Sequence, residues 1–290
     1  MRAVGLHPDV VVVTSRFWQT TCTLVKSGGE AFVIDSPVLP DELELLPAIA
    51  EQSGFAVVGA LVTHVDWDHL LARYAFPSAP QGMAETSAAR LRNEPGEAQR
   101  ELREFDEENY VERPGPLTLP GPQMLPVPGH CGVGERELEL HPTEGHTVDG
   151  MALWIPWAEV LVVGDYLSPV EIPWISESGS ASAYLATLDR LEPLVWRAAH
   201  VVPGHGSPVD SERSLAILRE DRAYLQALLT DGSDAELPLA RRTGAQRKIH
   251  AENVTRVPAA GASAGPAPGP HALTAASHRP SSVSRRCPTA

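Results

Sequence analysis

Four side chains of the kinds that ligate metals fall within six residues, His64-Val65-Asp66-Trp67-Asp68-His69, directly after the apolar run Val57–Thr63. This segment restricts the fold more than any other feature of the 290 residues. Carboxylate and imidazole groups are costly to bury without partners. A fold that accepts them must therefore end a buried strand at an open edge and turn them toward shared space. Three later segments repeat the pattern of a strand or turn ending in a ligand: His146 in Glu144-Gly145-His146-Thr147, Asp165 in Val163-Gly164-Asp165, and His205 in Pro203-Gly204-His205-Gly206. A glycine beside each lets the backbone turn sharply and approach closely. Imidazole and carboxylate together form the ligand set of zinc and related divalent metals. A lone Gly-His or Gly-Asp step means little; four such pieces in series mean much more.

Around these motifs the first 257 residues read as alternating strands and helices. Val10–Thr14, Thr21–Ser27 and Ala31–Asp35 are β-rich, and Gly28-Gly29-Glu30 joins the last two as a hairpin. Asp41–Gln52 is a helix with acids in its first turn and Gly54 as its stop. Glu97–Glu112 reads as a charge-laced helix with a solvated face and no further role. Further strands are expected at Glu137–Pro142, Met151–Pro156, Glu159–Val163 and Val201-Val202. Ala181–Val195 carries a leucine stripe. Ser211 reads as the N-cap of a long helix whose apolar face holds Leu215, Leu218, Leu225 and Leu228, and Arg241–Arg256 forms a last short one. Pro258–Ala290 is Ala, Pro, Ser and Gly with few large apolar residues, and is expected to be a disordered tail.

On the four motifs, the sequence resembles the hydrolases of the metallo-β-lactamase superfamily over about Val10–Val257. The family's HxHxDH after a strand corresponds to Thr63–His69, its GHT histidine to His146, its bridging aspartate to Asp165, and its PGHG histidine to His205. The resemblance implies an α/β fold, an αββα sandwich with the metals at one edge between the sheets, as one hydrolase domain over residues 1–257. It also implies two divalent ions, zinc first, with manganese or iron as alternatives. His64, Asp66 and His146 would hold one ion, Asp68, His69 and His205 the other, with Asp165 between them. The reaction carried over is hydrolysis by a metal-bound hydroxide, with Asp68 also moving a proton.

Position 66 departs from that pattern, since the family usually has histidine there. Two dications set against three carboxylates keep one positive charge, where two carboxylates would leave two. A more anionic shell makes a weaker Lewis acid and favours harder ions. Asp66 either ligates directly or, being short, works through a water. Asp35, at the end of a strand, is a candidate support behind a ligand. Trp67 either lines the substrate mouth or packs, and Tyr166 is a candidate donor to a substrate oxygen. His130-Cys131 reads as a loop pair, and His7, His141, His200 and His250 as structural or surface residues.

Composition narrows the functions. The net charge of −14 opposes nucleic acid as a partner. No apolar run approaches the ~20 residues of a membrane span. No secretory signal is evident, and three cysteines without CxxC spacing fit a reduced, cytoplasmic setting. The expected function is hydrolysis of a small-molecule ester, thioester or lactone. A mononuclear iron oxygenase of the sulfur dioxygenase kind and a degenerate binding protein are the alternatives. Substrate identity and oligomeric state are not encoded in these motifs.

Overall fold

Two sheets face each other, and the periodicity of their strands explains why. The computed structural model describes residues 1–119 and 121–257; the expected tail lies outside the described residues. In chain order the elements are β1 (Arg2–His7), β2 (Val10–Thr14), β3 (Thr21–Ser27), β4 (Glu30–Asp35), α1 (Pro40–Gln52), β5 (Val57–Leu61), a 3₁₀ turn (Trp67–His69), α2 (Ala72–Ala75), β6 (Gln81–Ala84), α3 (Glu85–Asn93) and α4 (Glu97–Asn109). There follow β7 (Gln123–Leu125), β8 (Gly129–Val133), β9 (Arg136–Pro142), β10 (Met151–Ile155), β11 (Val160–Val162), α5 (Ala181–Val195), β12 (His200–Val202), α6 (Ser211–Asp231) and α7 (Gly244–Arg256).

The first sheet has the order β1-β2-β3-β4-β5-β6-β7 and the second β12-β11-β10-β9-β8. Hairpins make β1 to β4 antiparallel, whereas β4 to β7 pair in parallel and need crossovers. Helix α1 makes the first crossover, and the motif-bearing loop with α2 makes the second. In β10, Met151, Leu153 and Ile155 face the first sheet and pack with Val10, Val12, Val25 and Ile34. The alternate residues Ala152 and Trp154 face outward under α5 and α6, against Leu188, Leu191, Leu218 and Leu225. Both faces being covered, the strand is apolar at every position and shows no polar alternation. On the other side, α1 and α2 cover Val13, Leu24 and Val33 through Leu46, Ala50 and Ala72. The result is the expected αββα sandwich.

Several boundaries differ from the sequence reading. Asp210, not Ser211, caps α6, accepting from the Arg213 N–H at 2.7 Å. Its carboxylate takes the cap, and the Ser211 hydroxyl instead donates to the Val195 carbonyl at 2.6 Å, tying α6 to the end of α5. The last helix begins at Gly244 with Thr243 as cap. His130 and Cys131 lie on β8, where they pair with β9, and not in a loop. The flanking Pro and Gly residues conceal a short edge strand. Strands β1, β6 and β7 and helix α3 have no strong sequence signature, being short or mixed in polarity.

Candidate metal centre

Every motif residue lies at one edge of the sandwich. His64–His69 follow β5, Asp165 follows β11, His205 follows β12, and His146 sits in the connection from β9 to β10. Backbone bonds sew the two sheets together here. The Thr21 N–H donates to the Gly204 carbonyl at 2.7 Å, and the Met151 N–H to the Thr63 carbonyl at 2.8 Å. Glycine in the turn before His205 lets the backbone come close, because a Cβ on Gly204 would overlap the Asp165 Oδ1 and displace that carboxylate. At Gly145 the backbone has φ +130°, and a Cβ would meet the Tyr184 backbone.

The four histidines share one arrangement. Each holds its Nδ1 against an oxygen: His69 against Asp35 Oδ2 at 3.0 Å, His64 against Thr63 Oγ1 at 3.1 Å, His146 against the Trp174 carbonyl at 3.0 Å, and His205 against the Trp18 carbonyl at 3.2 Å. With Nδ1 protonated, all four Nε2 lone pairs are free, and all four point into the same space. Asp35 is the hub behind them. Its Oδ1 accepts from the Thr63 N–H and its Oδ2 from the Thr63 hydroxyl, both at 2.8 Å. It does so from a left-handed backbone conformation, φ +57°, unusual for a non-glycine residue.

The spacing of these atoms fits metal ions. Bonds of about 2.0–2.1 Å in a tetrahedral site put neighbouring ligand atoms roughly 3.3–3.4 Å apart. On one side, Asp66 Oδ2 lies 3.6 Å from His64 Nε2 and 3.3 Å from His146 Nε2. On the other, Asp68 Oδ2 lies 3.7 Å from His69 Nε2 and 3.4 Å from His205 Nε2. Asp165 Oδ2 reaches both sides, 3.4 Å from His146 Nε2 and 3.3 Å from His205 Nε2. Three buried atoms, His64 Nε2, His69 Nε2 and Asp165 Oδ1, have no hydrogen-bond partner among the described residues. Leaving such atoms unsatisfied is costly, and a cation among them removes the cost. The residues His64, Asp66, Asp68, His69, His146, Asp165 and His205 could therefore hold divalent metal.

Electrostatics agree. Burial opposes charge on His205, yet Glu171, Asp165 and Asp68 outweigh it and push its pKa up to about 10. His69 and His146 are likewise raised against burial by the surrounding carboxylates. Asp66 is held well below the usual carboxylate range, despite burial, by His146 and His64.

The family model for the metallo-beta-lactamase superfamily matches residues 15–205. The chain belongs to that superfamily. Among solved structures it is similar to the DIM-1 metallo-beta-lactamase, with 18% identity over 78% of this chain and 96% of that one, TM-score 0.57. It is similar also to a metallo-beta-lactamase family protein from Thermus thermophilus, with 20% identity over 87% and 93%, TM-score 0.63. A third is the inverting sec-alkylsulfatase Pisa1 from Pseudomonas sp., 15% identical over 88% of this chain, TM-score 0.67; this chain spans about half (49%) of its length. No curated protein matches the sequence.

This superfamily member opens above the motif residues into a cavity of about 980 Å³. Trp18, Trp67 and Phe105 pack together on one wall, so Trp67 both packs and lines the mouth. Helix α4 turns Glu97, Glu101, Glu104 and Glu108 into the cavity. Its charges thus do more than face solvent: burial, with Asp66 and Glu97 nearby, pushes the Glu101 carboxyl up to about 7. Tyr166 does not take up its candidate role. Its hydroxyl is buried, accepts from the His146 N–H at 3.0 Å and donates to the Thr143 carbonyl at 3.3 Å, so it braces the His146 turn and offers nothing to a substrate. The sequence reading missed Arg90, whose Nη1 donates to Asp66 Oδ1 at 2.7 Å and to Asp149 Oδ1 at 3.1 Å. An arginine inside a polar helix gives no signal of such a partner.

Proposed function

We propose that the protein is a metal-dependent hydrolase of a small-molecule ester, thioester or lactone, with two divalent ions, zinc first, held by His64, Asp66, His146 and Asp165 on one side and Asp68, His69, His205 and Asp165 on the other. The observation that carries this reading is the convergence of four Nε2 atoms whose Nδ1 atoms are all held by oxygen. Divalent ions bound there would polarise the electrophile and supply a strong nucleophile from water at neutral pH.

The chain's own residues do the rest. Asp68 offers one oxygen to the ligand set and keeps the other for the proton that passes from the attacking water to the leaving group. Oxygen acceptors behind each imidazole keep the rings oriented, so little reorganisation is needed during reaction. The aromatic wall shields the centre from bulk water, and the cavity suits a small ligand. The row of glutamates at its mouth repels phosphate backbones, which supports a small molecule over nucleic acid. Among the described residues no helix is long and apolar enough to cross a membrane. The free Cys22 and Cys131 fit the reduced, cytoplasmic setting of this reading.

Two full ligand sets favour hydrolysis over the single-ion oxygenase, and the intact cluster disfavours a degenerate binder. Metal analysis of protein purified without chelator tests the reading first. About two zinc or manganese ions per chain, followed by turnover within a panel of esters, thioesters and lactones, is the expected result. A single tightly held iron with oxygen uptake, or no hydrolysis after reloading with zinc, manganese and iron, would overturn it.

A further inference from the structure

The aspartate at position 66 looks like a defect when the ligands are counted alone. The structure places a cation directly behind it. Arg90 extends from α3, only 11% exposed at its side chain, and meets Asp66 Oδ1 at 2.7 Å. The other oxygen, Oδ2, is the one directed at His64 and His146. The carboxylate is thus divided, with one oxygen committed to the guanidinium and one left facing the ligand cluster.

Arg90 is itself fixed from three directions. Asp149 Oδ1 accepts from the same Nη1 at 3.1 Å, and Glu94 Oε2 accepts from Nε at 2.9 Å. Asp149, fully buried, also accepts from the Ser87 hydroxyl at 2.6 Å and from the Val65 N–H at 3.2 Å. Val65 precedes Asp66, so one bracket sets both the backbone of the metal loop and the orientation of its carboxylate. Ser87 and Arg90 are three residues apart and share a face of α3, which is why a single short helix can supply both contacts.

We propose that Arg90 is a positioning residue that makes Asp66 a substitute for histidine: it restricts the carboxylate to one ligating oxygen and offsets part of its negative charge. A free carboxylate is mobile, can chelate through both oxygens and adds a full negative charge to the shell. One whose second oxygen is taken up by an arginine N–H offers the cluster a single donor atom, as an imidazole does. The guanidinium charge is shared with Asp149 and Glu94, but Asp66 is its shortest contact. This inference rests on the proposed metal centre and explains why an aspartate there need not disable it.

The test compares Arg90→Gln and Arg90→Lys in two backgrounds, the parent and Asp66→His. Zinc affinity is read by competition with a chromophoric chelator, and cobalt spectra report the coordination of each site. In the parent background, Arg90→Gln weakens the site containing His64 and His146 by about 10–100-fold, because the lost orientation of the carboxylate outweighs the removal of a nearby positive charge, and Arg90→Lys recovers part of the loss. In the Asp66→His background the same substitutions change affinity by no more than about twofold, because there is no carboxylate left to restrain. Should Arg90→Gln fail to fold, Arg90→Lys carries the comparison alone, with a smaller loss expected only in the parent. Parent-like affinity in both Arg90 variants would refute the proposal, as would an equal loss in both backgrounds, which would make Arg90 a support for Asp149 only. A parent protein that binds neither zinc nor cobalt would overturn the metal centre itself, a distinct outcome.

Discussion

Replacing Asp35 by asparagine keeps the volume at the hub of the site and changes only what its atoms can accept. The aspartate accepts three hydrogen bonds, from the Thr63 N–H, the Thr63 hydroxyl and His69 Nδ1. An asparagine has one acceptor oxygen. If that oxygen stays with the Thr63 N–H, which is buried and has no other acceptor, the amide nitrogen faces Thr63 Oγ1 and His69 Nδ1. The threonine hydroxyl can turn and accept, and can still receive the His64 Nδ1 proton. The imidazole of His69 cannot keep its Nδ1 proton against an N–H₂ group, so the proton moves to Nε2, the atom directed at the metal. The lost charge-assisted bond is worth about 1.5–3 kcal/mol, which corresponds to roughly 10–150-fold in affinity. The loss should fall on the ion held by His69 and His205, while the ion at His64 and His146 stays nearly as tight. Calorimetric titration of the metal-free protein with zinc separates the two steps. Parent-like binding at both steps, or equal weakening of both, would refute the tautomer reasoning.

Other outcomes follow from the same geometry. Asp165→Ala and His146→Ala should each lose bound metal and most hydrolytic activity; full metal content in either, by elemental analysis, would exclude that residue as a ligand. Metal binding should tighten as pH rises from about 6.5, the usual imidazole value, toward about 10, because the raised histidines, His205 at about 10 among them, must give up protons to ligate. Calorimetry in buffers of different ionisation enthalpy should then register proton release near neutral pH, and affinity flat between pH 6 and 9 would contradict this. The metal-free protein should behave in the opposite sense: the stabilisation from protonated His205 is complete below the unfolded value near 6.5 and lost as pH rises through about 10. Arg241→Ala should cost about 3–5 kcal/mol in urea denaturation, since it strands buried Asp221 at the end of a 2.6 Å ion pair and frees the carbonyls of Ser168 and Glu171 that border the site.

The parts of this protein that could be read from the sequence are those in which a local pattern has a single physical solution. The apolar run before His64–His69 and the glycines beside His146, Asp165 and His205 mark turns that the structure brings to one edge of the sandwich. The leucine stripe of α5 and the β10 run gave their elements to within a residue. Asp35 was a candidate support because it closes a strand of the first sheet, and the structure sets it against Thr63 and His69. What could not be read depends on contacts between elements distant in the chain. Arg90 resembles any helix-surface arginine until α3 docks beside Asp66. The glutamates of α4 look like a solvated face because their spacing is helical whether they meet water or a cavity wall. The role of Tyr166 could not be read because adjacency to a ligand in sequence does not say which way a side chain turns; its hydroxyl turns back toward Thr143.

The edge that carries the site is also where early and late segments of the chain meet. Strands β1 to β6 and the whole His64–His69 segment are made within the first 84 residues, yet the turn that supplies Gly204 and His205 comes more than a hundred residues later. Until it arrives, the Thr21 N–H has no acceptor at Gly204, and the Asp165 carboxylate has neither its bridge to His205 nor the close backbone that confines it. A nascent chain therefore presents a cluster of loose carboxylates and imidazoles, and a finished one presents a rigid cradle. Under the proposed metal centre, the full ligand set exists only once the turn carrying His205 has closed onto β3, so tight capture of an ion would report that closure.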